Sequence, residues 1–348
     1  MGRGFSPGRY ETMTNQIRRI SLKGLGYCVV VATLTVLLLS VVTAAAPIRV
    51  LLIDGESAGA YHDWQRTTPV LQKILDETAL FEVTVVTAPA PEPGAGPGAA
   101  SPQFAPDFSK YQVVVLNYDA PDGRWSAETK ASFERFVQSG GGVVAVHGAD
   151  NAFPGWAAFN EMIGVGGWRN RTEQAGPFWF FRDGKLTSDS TPGRAGSHGK
   201  RVPFAVTVRE PNHPIMRGLP SVWMHQGDEL YARLRGPGKN MTVLATAFSD
   251  EANAGSGRDE PQLMVLSYGK GRVFHTTLGH DINALSSVGF IVTLQRGTEW
   301  AATGAVTQKV PANFPTATTV SYRADIAAMD PRFSNGLDPL TSAPAPRK

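Results

Sequence analysis

The chain has 348 residues, with 33 Lys+Arg against 30 Asp+Glu and a net charge of +3. Arg3, Arg9, Arg18, Arg19, Lys23 and Glu11 fall in the first 46 residues, so removing that segment's net +4 leaves the body from Pro47 at −1. A nearly neutral body sets nucleic acid aside as a partner, and a hydrophobic share of 42% rules out wholesale disorder.

In chain order, residues 25–46 carry no charge and include the apolar run Tyr27–Val42. Arg18, Arg19 and Lys23 precede it, and Thr43-Ala44-Ala45-Ala46 follows. Basic, apolar and small-residue regions in that order predict a secretory signal peptide cleaved after Ala44 or Ala45. The alternative is an uncleaved anchor, for which the uncharged run is just long enough. Both place the body outside the cytoplasm, periplasmic or secreted, and any membrane contact in this N-terminal segment. Cys28 in the leader is the only cysteine, so the body holds no disulfide, thiolate metal knuckle or catalytic thiol.

The body opens with Ile48–Asp54, a continuous apolar run typical of a buried parallel strand. Helical spacing over Thr68–Leu80 predicts a helix, and Phe81–Thr87 alternates as a strand. Ala88–Pro106, with six Pro and three Gly in nineteen residues, is a surface loop. Tyr111–Asn117 predicts a third strand, Ser126–Ser139 a Ser-capped helix stopped by Gly140-Gly141-Gly142, and Val143–His147 a fourth strand. This β-α-β-loop-β-α-β order implies a doubly wound α/β sheet. The second half is richer in strands: Val202–Arg209, Glu229–Leu234, Met241–Phe248, Gln262–Tyr268 and Arg272–Thr277, then a closing helix from Asn283 to about Trp300. The reading is one domain, about Pro47–Gly304, followed by an extended tail over 305–348 that is disordered or strap-like from about Asp330.

Open α/β sheets bind ligands beyond the carboxyl ends of their strands. The first strand leads there to His62, Asp63 and Trp64, the third to Asn117 and Asp119, the fourth to His147 and Asp150, and the last to His280 and Asp281. Three of the seven histidines therefore fall at one edge. Val-Val-Ala-Val-His147-Gly-Ala predicts a strand–turn–helix elbow, the geometry that exposes a nucleophile in serine hydrolases, with a helix around Gly155–Ile163. An imidazole there suits general acid–base work or metal ligation.

Ser197-His198-Gly199 has the composition of a flexible loop, in which His198 is either solvated or a substrate clamp. His213-Pro214 is a turn in which the histidine leans towards a structural role. His225-Gln226-Gly227-Asp228-Glu229 precedes a predicted strand and offers Asp228 to the site. His275 alternates with Val273 as half-buried scaffold. His62, His147, His213, His225, Asp228 and His280 supply ligand types for a divalent metal, without any compact H-x-x-x-H spacing. No dinucleotide or phosphate-loop fingerprint is present, so no nucleotide cofactor is expected.

VVAVHGA, EPNHPIMRGLP, GDELY at Gly227–Tyr231, YGKGRVFHTTLGHD at Tyr268–Asp281 and RGTEWAATG at Arg296–Gly304 together resemble the ThuA-like (trehalose utilisation) family over about Ile48–Gly304. The resemblance implies a class I glutamine amidotransferase-like, flavodoxin-like fold with a mostly parallel sheet. It places His147 at or beside the elbow that carries Cys in amidotransferases, and His280 near their histidine. With no Cys in the body, glutaminase chemistry is untenable. The resemblance further implies catabolism of a disaccharide or 3-keto sugar, with a small carbohydrate as partner. His147 and His280 would be the catalytic pair, His62 and Asp228 would assist, and Trp64, Asn117, Asp119, Asp150, His198 and Asp281 would line the substrate site. The competing reading is a non-catalytic carbohydrate-binding or scaffold protein on the same fold.

Overall fold

The computed structural model describes residues 46–57, 62–90, 92, 94–96, 98–101 and 103–331. The leader through residue 45, with Cys28, and the tail beyond residue 331 lie outside the described residues. Among the described residues no helix is long and apolar enough to cross a membrane.

Thirteen strands appear among the described residues: β1 (Ile48–Asp54), β2 (Phe81–Thr87), β3 (Val113–Leu116), β4 (Gly142–Val146), β5 (Phe178–Arg182), β6 (Lys185–Asp189), β7 (Ser197–His198), β8 (Val202–Val208), β9 (Val222–Asp228), β10 (Tyr231–Ala232), β11 (Thr242–Ser249), β12 (Arg258–Tyr268) and β13 (Gly271–Thr276). The main sheet runs β2-β1-β3-β4-β13-β12-β11-β8-β9, with the β5–β6 hairpin attached to β12 and β7–β10 as a separate small ladder. From β2 to β13 every neighbour is parallel, in a flavodoxin-like order. From β13 to β9 every neighbour is antiparallel. The sheet is thus half parallel and half antiparallel, a larger antiparallel share than the sequence suggests.

The helices are α1 (Trp64–Asp76), α2 (Ala127–Gln138), α3 (Ala157–Ile163), α4 (Ile282–Leu285), α5 (Val288–Thr303) and α6 (Ala324–Ala327). The parallel strands are apolar throughout because both faces are covered. Val50, Leu52, Val113, Val115 and Val144 pack in one core with α1 and α5 residues, and Leu51, Ile53, Val114, Leu116 and Val143 in a second core with α2 and α3 residues. Ser126 caps α2 as the sequence suggests, its hydroxyl accepting from Thr129 N at 3.1 Å.

Four expectations are corrected. The strand placed at Glu229–Leu234 is only the two-residue β10 there, and the longer β9 precedes it: the buried polar run His225–Asp228 is inside β9, where hydrogen bonds replace hydrophobicity as its support. The β5–β6 hairpin is additional. Its Asp183-Gly184 turn, both residues at positive φ (53° and 74°), was visible as an Asp-Gly signal. Ser197-His198 is no free loop but pairs with β10, His198 opposite Tyr231. The closing helix breaks at Ser286-Ser287, where Ser286 Oγ donates to Asn283 O at 2.7 Å and the 305–331 segment bridges Ser287 through Tyr322. That segment is a packed strap: Phe314 and Ile326 are buried, and Thr316 O accepts from Met224 N at 2.8 Å, covering the outer edge of β9.

The strand directions decide where the site lies. Four antiparallel steps separate β13 from β9, so β9 again runs parallel to β13. Its carboxyl end therefore points to the same edge as those of β1, β3 and β4.

Candidate functional site

β4 ends at Val146, and the chain turns at once into a single 3₁₀ turn, His147–Asn151. His147 takes φ +46°, the left-handed region that a non-glycine residue rarely occupies. This is the expected elbow, and such strain is retained where it aims a side chain. The ring is buried, and its Nδ1–H donates to Thr277 O at 2.6 Å just past β13. That bond commits the proton to Nδ1 and leaves the Nε2 lone pair facing the cleft.

Three more groups converge on Nε2. His280 Nδ1 lies 3.3 Å away and Glu229 Oε2 3.8 Å, while His280 Nδ1 and Glu229 Oε2 are 3.1 Å apart. The His62 ring stands edge-on to both other histidines, with centroids 5.0 and 5.3 Å away, and its Nε2 is 3.1 Å from the Tyr231 hydroxyl. One donor atom from each of His62, His147, Glu229 and His280 lies within 4.8 Å of the others. Bonds of about 2.0–2.2 Å to a tetrahedral cation put ligand atoms about 3.3–3.6 Å apart, so the three measured separations bracket that spacing. The cleft over His62, Asn117, Asp119 and His147 leaves about 10 Å³, one water-sized sphere.

Electrostatics favour ligand-ready forms. Burial, and next the neighbouring imidazoles, hold His62 well below the usual histidine range and His147 below it, so both offer lone pairs at neutral pH. Burial would raise Glu229, but the hydrogen bond from His280, and then the electrostatic pull of His280, His147 and His198, bring it down to about 2. Arg201 Nε stands 3.3 Å from the other Glu229 oxygen, Oε1, and His198 Nε2 3.7 Å from it.

Asp228 is not among the converging groups. Fully buried, it accepts from His225 Nε2 (2.9 Å), Gly279 N (2.8 Å), His280 N (3.1 Å) and Glu229 N (2.8 Å). Burial alone would raise its carboxyl; these donors overrule it and hold it below the ordinary range. Asp228 therefore fixes the backbone under two of the four groups, and His225 serves Asp228.

The other sequence-predicted residues divide by position. Asn117 and Asp119 line the cleft. Asn117 spends its amide on Thr67 and Thr68 Oγ1, both at 2.9 Å, anchoring α1 behind His62. Asp119 is buried and held by Arg169 Nε at 2.6 Å; burial still raises its carboxyl to about 6. His198 is exposed at the mouth. Asp281 caps α4 through Ala284 N and faces Arg201 at 3.3 Å. Asp150 is wholly buried, 3.6 Å from His275 Nε2, and His275 is fully buried rather than half-buried. Trp64 sits half-buried in the first turn of α1. His213 is away from the cluster: its Nδ1 accepts from Ile215 N, and its ring lies 5.0 Å from that of Trp300. Sequence reasoning missed Glu229 and Tyr231 as site residues, although both stand in the GDELY motif.

The molecule is an α/β protein with a half-parallel sheet and a buried polyhistidine–carboxylate cluster at its carboxyl edge. The ThuA family, described as trehalose utilisation, matches residues 49–301, and the chain belongs to that family. A ThuA-like protein of Parabacteroides merdae is 46% identical, with a TM-score of 0.75 over 81% of this chain and 99% of its own. A ThuA-like protein of Bacteroides uniformis is 17% identical, with a TM-score of 0.47 over 76% of this chain and 95% of its own. A cytoplasmic protein of Salmonella typhimurium is 14% identical, with a TM-score of 0.44 over 72% of this chain and 98% of its own. Among curated proteins, none matches the chain.

Proposed function

We propose that this chain is an exported enzyme of carbohydrate catabolism, acting on a glycoside or keto sugar through a divalent cation held by His62, His147, Glu229 and His280. The convergence of those four donors within 4.8 Å carries the reading. The elbow at His147, with His280 beside it, also supports kinship with the class I glutamine amidotransferase fold, in a version that has traded thiol chemistry for imidazole.

Such a cation supplies Lewis acidity and a more acidic bound water. The chain's own contributions are separable. Thr277 O holds the His147 proton on Nδ1, and Asp228 holds the main chain of Glu229 and His280. Asp119, with a carboxyl near pH 6 and a place in the cleft wall, accepts or returns a proton at neutral pH. Glu229, far below that value, stays ionised.

Metal analysis of the purified body, with a turnover screen of disaccharides and their 3-keto forms with and without zinc, tests the proposal. Stoichiometric metal and metal-dependent turnover are expected. Tight sugar binding without turnover would replace the enzyme reading with a carbohydrate-binding one. N-terminal sequencing of exported protein should begin between residues 45 and 48; an intact leader in the membrane would replace cleavage with anchoring.

A further inference from the structure

One fully buried amide, that of Gln262 in β12, ties together the supports of two cluster residues without approaching the cluster itself. Its Oε1 accepts from Thr277 Oγ1 at 2.7 Å, and its backbone carbonyl accepts from Thr277 N at 3.0 Å. Thr277 O is the acceptor for His147 Nδ1–H. On the other side, Gln262 Nε2 donates to Tyr231 O at 3.0 Å and to Glu260 O at 3.3 Å. The Tyr231 ring lies over His147, with centroids 4.1 Å apart, and its hydroxyl meets His62 Nε2.

We infer that Gln262 is a positioning residue for the cluster: it sets the His147 tautomer through Thr277 and seats the Tyr231 wall that orients His62. This rests on the cation-binding reading for its functional meaning. The chemistry asks for an amide in particular, because an acceptor must face the Thr277 hydroxyl while a donor faces two carbonyls. A carboxylate there keeps the first bond but turns an oxygen towards Tyr231 O and Glu260 O. An aliphatic side chain loses all three side-chain bonds. Hydrogen bonds that orient a ligating imidazole typically contribute 10–100-fold to metal affinity.

The test uses the metal-free body with ¹⁵N-labelled histidine, and then zinc competition against a chelator. In the wild type, His147 should be the Nδ1–H tautomer. In Gln262→Leu the tautomers should mix, and zinc affinity should fall about 10–100-fold. In a His147→Ala background, Gln262→Leu should cost much less, because part of its route to the cation is already gone. Gln262→Glu serves if the leucine variant does not fold, and should show the Tyr231-side loss. An unchanged tautomer with unchanged affinity overturns the inference, as does an equal affinity loss in both backgrounds. If the wild type binds no zinc, the cation reading falls, and the tautomer measurement alone decides whether Gln262 positions His147.

Discussion

The parallel and antiparallel halves of the sheet contribute differently to the same cleft. The parallel half supplies three imidazoles on loops that leave β1, β4 and β13. The antiparallel half supplies Glu229 and, with β10 and β12, the groups that orient those imidazoles: Asp228, Tyr231 and Gln262. The first half places reactive groups by topology alone, since parallel strands end on one side. The second does it by buried hydrogen bonds, each of which needs its own partner. A site built this way has ligands from one region and rigidity from the other.

The sharpest break in that comparison comes from substituting one group in each half. His147→Ala and Glu229→Gln should each lower turnover by about 10²–10⁴-fold and weaken cation binding. If only the histidine matters, the antiparallel half is scaffold and Glu229 is not a ligand. Next comes Asp228→Ala, which strips the acceptor from His225 and from the Gly279, Glu229 and His280 amides. Losing such a buried partner costs about 3–5 kcal/mol, readable by urea unfolding. A loss below about 1 kcal/mol would mean that the carboxylate is dispensable for holding the edge together.

A smaller effect isolates geometry from chemistry. A Cβ added at Gly148 would sit 2.7 Å from His62 Nδ1, closer than side chains approach. His62 is half-buried, so it moves rather than breaking the fold. Gly148→Ala should lower cation affinity by about 10-fold, in line with losses seen when a ligating imidazole is misoriented, with little change in the unfolding midpoint. Unchanged affinity would place His62 outside the ligand set.

The same contrast explains how far the sequence could be read. Ile48–Asp54, Tyr111–Asn117 and Val143–His147 announce themselves because strands buried on both faces are apolar without interruption. Their loops then deliver His62, His147 and His280 to one edge. His225–Glu229 gives no such signal. Its polar residues are buried, and the distant partners of Gln226 and Asp228 lie more than 50 residues away, so local pattern sets His225–Asp228 ahead of the strand and picks Asp228 over Glu229. Gln262 looks like any polar residue in a strand; only the positions of Thr277 and Tyr231 make it distinctive. His213 shows the reverse case, a plausible ligand type that the chain places beside Trp300 instead.

Two carboxylates at the site, Asp119 and Glu229, one from each half, are pushed in opposite directions, and this separation marks which of the two titrates in the working range. Burial raises Asp119 from 3.8 to about 6 despite Arg169, whereas the imidazole contacts lower Glu229 from 4.5 to about 2. For Asp119 the folded state keeps its proton between about 4 and 6 while the unfolded chain has already released it. Stability from this group therefore falls as pH rises through that window, by on the order of 2–3 kcal/mol at 1.36 kcal/mol per unit. Asp119→Asn removes the ionisation while keeping an acceptor for Arg169, so the variant should gain on the wild type steadily from pH 4 to pH 7 in urea unfolding. Glu229 has the opposite sign: its contribution is present above about 4.5 and is lost as pH falls towards 2. If Asp119 also moves the proton, the wild-type rate should decline below about pH 6, and the asparagine variant should lose both that limb and most of its rate. A stability difference that stays flat from pH 4 to pH 7 would place the Asp119 titration elsewhere.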